Sequence, residues 1–103
     1  MLIARWQIDA RFGQKQTVID MLAKWARDIA PQIGWGPGSG RLLTGSIGAR
    51  EATVVHEWSV ADLTALEQAW AALGKIAAHK AWGQELEPHV VSGSSRWEVF
   101  RVL

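Results

Sequence analysis

The sequence predicts an α+β domain, with four antiparallel strands in one sheet and both helical regions on one face of it. Three observations carry this. The hydrophobic period switches between two and about 3.6 in a definite order along the chain. Prolines and glycines fall at the switches. Every strand-like stretch carries apolar residues on both parities, as a sheet covered on both faces requires.

Residues 2 to 12 alternate, with Leu2, Ala4, Trp6, Ile8, Ala10 and Phe12 on one face and Ile3, Arg5, Gln7, Asp9 and Arg11 on the other. A period of two is a half-buried strand, and Gly13 ends it. From Lys15 to Ala30 the stripe Val18, Leu22, Trp25 and Ile29, widened by Ile19 and Ala26, describes an amphipathic helix that Pro31 stops. The following PQIGWGPGSG lacks the Gly-Lys-Ser/Thr of a phosphate loop and leads into a strand. It reads as a mobile loop over a pocket mouth, anchored by Trp35.

Residues 41 to 47 (RLLTGSI) and 52 to 58 (ATVVHEW) form two strands joined through the turn GARE. Ser59-Val60-Ala61-Asp62 has the spacing of a capping box, with Ser59 as the cap. The helix it opens carries Leu63, Leu66, Trp70, Leu73 and Ala77, and Gly74 kinks or divides it. A second helical piece covers roughly 75 to 87 and ends at Pro88. After SGSS, RWEVFRVL is a strand rich in β-formers.

Strand, helix, strand, strand, helix, strand is the ferredoxin-like βαββαβ order. Both helices on one face leave the other bare, although each strand holds apolar residues on both parities, Ile3 against Trp6, Val54 against Val55 and Val99 against Phe100. A bare apolar face needs a cover, and a second copy in a two-fold arrangement supplies one, so a homodimer is expected.

The 103 residues make one domain spanning 1–103, large enough to fold without staples. There is no cysteine, which excludes disulfides, thiolate metal sites and cysteine nucleophiles. The formal charge is +1 with both signs mixed, so no basic face for nucleic acid is expected. The N-terminal MLIARWQIDAR alternates and is no signal peptide, and no run approaches the roughly 20 apolar residues of a membrane span. A soluble cytoplasmic protein without membrane partners is the expectation. Seven tryptophans suit a deep core, an aromatic pocket or a subunit interface.

The stretch GSIGAREATVVHEWSVADLTALEQAWAAL resembles the dimeric α/β-barrel superfamily, where a strand ends in a tryptophan and a short capped turn leads into the second helix. NIPSNAP-like proteins and the antibiotic-biosynthesis-monooxygenase group are its likenesses. HKAWGQELEPHVV is similar to their segment of a tryptophan followed by a proline and a valine pair. The resemblance implies ferredoxin-like subunits pairing their sheets into a barrel, with a pocket between helices and sheet in each. It also implies that a cofactor-independent member would act on an electron-rich aromatic substrate.

The superfamily includes haem-degrading monooxygenases, whose iron-binding histidine is matched in position by His79 in KIAAHKAW. Their catalytic asparagine on the first strand is replaced by Trp6, and Trp70 matches their tryptophan only at a different spacing. Haem is therefore an alternative cofactor under the resemblance, against a leading expectation of none.

At about 100° per residue, Ile76, Trp82, Gly83 and Leu86 fall near the direction of His79. His79 should therefore point at the sheet. It reads as a core histidine with one satisfied hydrogen bond, as a pocket base, or as an iron ligand. Trp6, Trp58, Trp70 and Trp82 are the expected pocket walls. His56 shares a face with Trp58, either on the pocket side or in the dimer barrel. His89 is expected to be exposed. Ser59, His56 and Asp62 lack nucleophile-elbow glycines and make no triad. No histidine pair has metal-ligand spacing, so no metal site is expected. Arg5, Gln7 and Asp9 are expected to form cross-strand charge pairs with Glu57 or Glu98 in the dimer.

Overall fold

The structure is a computed structural model describing residues 1–103. Strand β1 (Leu2–Asp9) pairs antiparallel with β3 (Thr53–Val60) on one side and β4 (Arg96–Arg101) on the other; β2 (Gly40–Thr44) pairs outside β3. The order is β2-β3-β1-β4, the ferredoxin-like sheet that the element order predicts. Helices α1 (Lys15–Asp28), α2 (Leu63–Leu73) and α3 (Ala77–Leu86) lie on one face. No helix is long and apolar enough to cross a membrane.

The core forms where the helical stripes meet the even-numbered face of β1. Ala4 and Ile8 pack with Val54, Trp58 and Val60 from β3, with Val18, Leu22 and Trp25 from α1, and with Leu66, Ala69 and Leu73 from α2. Leu22, Leu66, Val18 and Val54 are the largest fully enclosed side chains, each worth about 1.5–3 kcal/mol over exposure.

Several boundaries differ from expectation. Phe12 does not join the buried face. The strand ends at Asp9, Ala10 makes a single bridge to Val90, and the chain turns through Gly13 at φ +83°, leaving Phe12 in solvent. Pro31 closes α1 two residues early by opening a 3-10 turn, Ala30–Ile33. Strand β2 stops at Thr44 rather than residue 47, and Ile47 is fully exposed.

Ser59 is not the cap of α2. It is a β3 residue whose N–H bonds Ser39 O at 2.8 Å. The cap is Asp62, which accepts from the Ala65 N–H at 2.8 Å. With the helix starting there, Leu63 faces solvent and the buried stripe is Leu66, Ala69 and Leu73. Gly74 divides the helical region, and α3 runs back along α1.

The glycine-rich loop has an unexpected steric role. A β-carbon at Gly40 would lie 2.5 Å from the Trp58 ring. Gly40 and Ala4 flank Trp58 in the strand register, so small residues on both neighbours make room for that indole. Trp35 is buried as expected and stacks on Trp58 with centroids 5.2 Å apart. The loop itself does not cover the cavity described below.

Candidate functional site: a tryptophan-walled cavity

Strand register sets three side chains in one row on the helix-bearing face: His56 on β3, Trp6 on β1 and Trp97 on β4. The next row adds Trp58. Helices α1 and α3 close over the rows with Trp25, His79 and Trp82, and α2 brings Trp70 and Leu73. Between them lies a cavity of about 420 Å³ walled by six of the seven tryptophans, two histidines, two leucines and Gly74. No charged side chain lines it.

All six residues expected at the site border this one space: Trp6, His56, Trp58, Trp70, His79 and Trp82. Two important neighbours were not anticipated, Trp25 and Trp97. Trp25 has the spacing of a core residue and is buried, so periodicity gives it no separate signal. Trp97 joins only through its antiparallel pairing with Trp6, a register that the sequence leaves open.

Trp25 is the hub. Its ring lies 5.7–6.2 Å, centroid to centroid, from Trp35, His56, Trp58, His79 and Trp82, in tilted or edge-on arrangements. Its indole N–H donates to His79 Nδ1 at 2.9 Å. Trp82 donates to Met21 O at 2.8 Å, and Trp6 donates to Ser95 Oγ at 2.7 Å. Trp70 and Trp97 meet edge to face at 5.4 Å and remain 38% and 40% exposed, so this pair forms the mouth.

His79 borders the cavity together with Trp6, His56 and Trp58 of the sheet. It is half-buried, bonded to Trp25 of α1, near-parallel to Trp82, and its pKa is lowered by loss of water around the ring. The indole of Trp25 can only donate, so Nδ1 must be the unprotonated nitrogen, and in the neutral ring Nε2 carries the hydrogen. Neutral His79 thus has its lone pair engaged by Trp25 and only a donor left free.

The same geometry tests haem. An iron-binding histidine gives one nitrogen's lone pair to the metal and donates the other N–H to an acceptor. His79 has the reverse polarity, with a donor facing Nδ1 and the hydrogen on the remaining nitrogen. This donor set does not fit a haem ligand.

His56 faces the cavity, which settles the alternative between pocket and barrel. It is 3% exposed, wedged 4.4 Å from the Trp58 centroid, and burial holds its pKa down at about 4. His89, expected to be exposed, is half-buried and bonds Gln14 through Nδ1 at 2.8 Å, tying the C-terminal end of α3 to the start of α1. Ser59 lies on the opposite sheet face from His56, since neighbouring rows of odd and even parity point apart.

No protein-family model matches the chain, and no curated protein matches it. Solved structures do. A NIPSNAP family protein from Agrobacterium tumefaciens superposes with a TM-score of 0.79 at 18% identity, covering 99% of this chain and 92% of that one. SnoaB from Streptomyces nogalater, described as a cofactor-independent oxygenase, gives 0.67 at 16%, covering 98% and 91%. A dimeric protein of unknown function and ferredoxin-like fold from Bacteroides fragilis gives 0.64 at 9%, covering 98% and 96%. Such identities establish the fold, and it is the fold that the resemblance implied.

Proposed function

We propose that the protein is a homodimer that binds a small planar aromatic molecule in the tryptophan-walled cavity of each subunit. One observation carries this reading: indoles that could have packed against one another instead border an open space of about 420 Å³. A mere dimerisation module would fill that volume, because unfilled apolar space costs packing energy. Aromatic walls at tilted angles suit a flat ring, which gains edge and face contacts together. The homodimer is supported by the apolar residues on the uncovered sheet face and by the dimeric description of the Bacteroides fragilis structure.

A second reading, a cofactor-independent monooxygenase, draws support from the fold shared with SnoaB and from the apolar cavity, which would keep water from a reacting aromatic. Its weak point is the base. Neutral His79 presents a hydrogen, and His56, with a pKa of about 4, is a poor proton acceptor at neutral pH. Binding is therefore the reading better supported by the cavity.

The test is an NMR titration with 2-naphthol, following the seven indole N–H resonances. Trp6, Trp25, Trp58, Trp70, Trp82 and Trp97 line the cavity and should show the large, saturable shifts; Trp35, outside it, should move least. Unchanged indoles, or shifts that grow linearly without saturation, would sink the proposal. Oxygen uptake by the same mixture would bring the monooxygenase reading forward.

A further inference from the structure

His56 is the one side chain lining the cavity with a free acceptor: Trp58, Trp70 and Trp97 leave only indole N–H donors unbonded, and the lone pair of His79 is taken by Trp25. His79 is bonded to Trp25, and His89 to Gln14. His56 has no partner, although it is 3% exposed and sits on a central strand. Its ring nitrogens are nevertheless not sealed off, since neither is a fully enclosed nitrogen left without a partner. The open space beside the ring is the cavity it lines. A neutral imidazole placed in this way holds one N–H and one lone pair ready for a ligand.

A second feature bears on charge. No Asp, Glu, Lys or Arg lines the cavity, and eight of its eleven lining residues are hydrophobic. A charged ligand would lose its water there and meet no counter-ion. Polar but uncharged is the chemistry that the walls accept.

We infer that the ligand of this cavity is an uncharged, oxygen-bearing planar aromatic, such as a hydroxyarene or aryl ketone, whose oxygen is hydrogen-bonded by His56. This rests on the ligand-binding reading above and adds the specificity-determining residue. His56 would then discriminate against the bare hydrocarbon by leaving its own nitrogens unpaired, the mechanism by which buried polar sites reject analogues lacking the matching group.

The experiment compares naphthalene, 2-naphthol and 2-naphthoate at pH 7 on the wild type, His56→Phe and His56→Gln, with affinities from calorimetry or indole NMR. A merely greasy cavity prefers naphthalene. The inference expects 2-naphthol to bind the wild type about tenfold more tightly than naphthalene, as one well-made hydrogen bond allows, and 2-naphthoate not to saturate. His56→Phe should lose the preference while still binding naphthalene. His56→Gln, which keeps a donor and an acceptor, should retain most of it and guards against a folding defect in the phenylalanine variant. Wild-type affinity for naphthalene equal to or above that for 2-naphthol overturns the inference and leaves the ligand-binding reading standing. Saturable binding of 2-naphthoate overturns the uncharged class. Failure of all three compounds to bind overturns both readings together.

Discussion

The two cavity histidines illustrate how one residue type is given different properties by its neighbours. His79 takes its tautomer from a donor that cannot accept, Trp25. His56 takes its protonation state from burial, and this has a consequence for stability. Its pKa is about 4 in the fold against an ordinary 6.5, so between those values the unfolded chain takes up a proton that the folded chain refuses. Stability should be full above pH 6.5, fall as pH drops through the window to about 4, and level off below it. The shift corresponds to about 3 kcal/mol. His79, shifted downward by the same cause, adds in the same direction. Urea midpoints at pH 7 and pH 4 check this: His56→Gln, which cannot titrate, should lose about 3 kcal/mol less than the wild type across the interval. Equal acid sensitivity in the two proteins would remove the buried-neutral description of His56. The parity of the strand put His56 and Trp58 on one face, but choosing which face required knowing where α1 and α3 settle.

At the scale of the element, the start of α2 separates two readings of one tetrapeptide. Ser59 and Asp62 both have capping chemistry, and spacing alone favours serine because it stands first. The strand decides otherwise. Ser59 and Val60 continue the ladder opposite Ile3 and Leu2, so the backbone cannot turn helical until Asp62. Asp62→Ala should therefore cost about 1 kcal/mol, within the usual range for a lost cap, while Ser59→Ala should change stability by well under half of that. Thermal or urea unfolding of the two variants checks it, and a reversal of the order would restore serine as the cap. The same contrast explains what was legible along the chain. The elements and their order follow from hydrophobic period, which local sequence carries. Their ends do not, because Ile47, Phe12 and Leu63 lie outside the buried set for tertiary reasons: a turn, a bridge and a later helix start. The cavity was half legible in the same sense. Trp6, Trp58, Trp70 and Trp82 stand out by type and position, whereas Trp25 and Trp97 acquire their role only through packing and register.

At the scale of the molecule, the face of the sheet without helices carries its own pairing code. Across β2, β3, β1 and β4 one row reads Arg41, Glu57, Arg5, Glu98. Glu57 bridges its two neighbours, with oxygens 2.8 Å from Arg41 Nε and 2.8 Å from Arg5 Nε. Of the expected pairs only Arg5–Glu57 forms, and within one chain; Asp9 instead meets Arg50 at 3.1 Å and Glu98 meets Arg96 at 3.5 Å, while Arg5 also lies over the Phe100 ring at 5.6 Å. Rows of Ile3, Ser59 and Phe100 on one side, and of Leu43, Val55, Gln7 and Arg96 on the other, supply apolar surface for a partner. In the proposed homodimer, the alternation of sign restricts how two such faces meet. A two-fold axis parallel to the strands, passing between β3 and β1, reverses the row. Each cation then opposes an anion, with Arg41 over the partner's Glu98 and Glu57 over the partner's Arg5. An axis across the strands would instead set every charge over its own copy, which like-charge repulsion disfavours. The apolar rows favour association and the charges select the register, so exchanging charges should be reversible. Glu98→Lys and Arg41→Glu, both on outer strands, should each weaken the dimer about tenfold or more, and the double variant should recover most of the loss; sedimentation equilibrium reads all four proteins. Under the transverse axis each exchange would replace one like pair with another and change little. Single variants as tight as the wild type would therefore discard the parallel axis, and a wild type that stays monomeric at high concentration would discard the dimer itself.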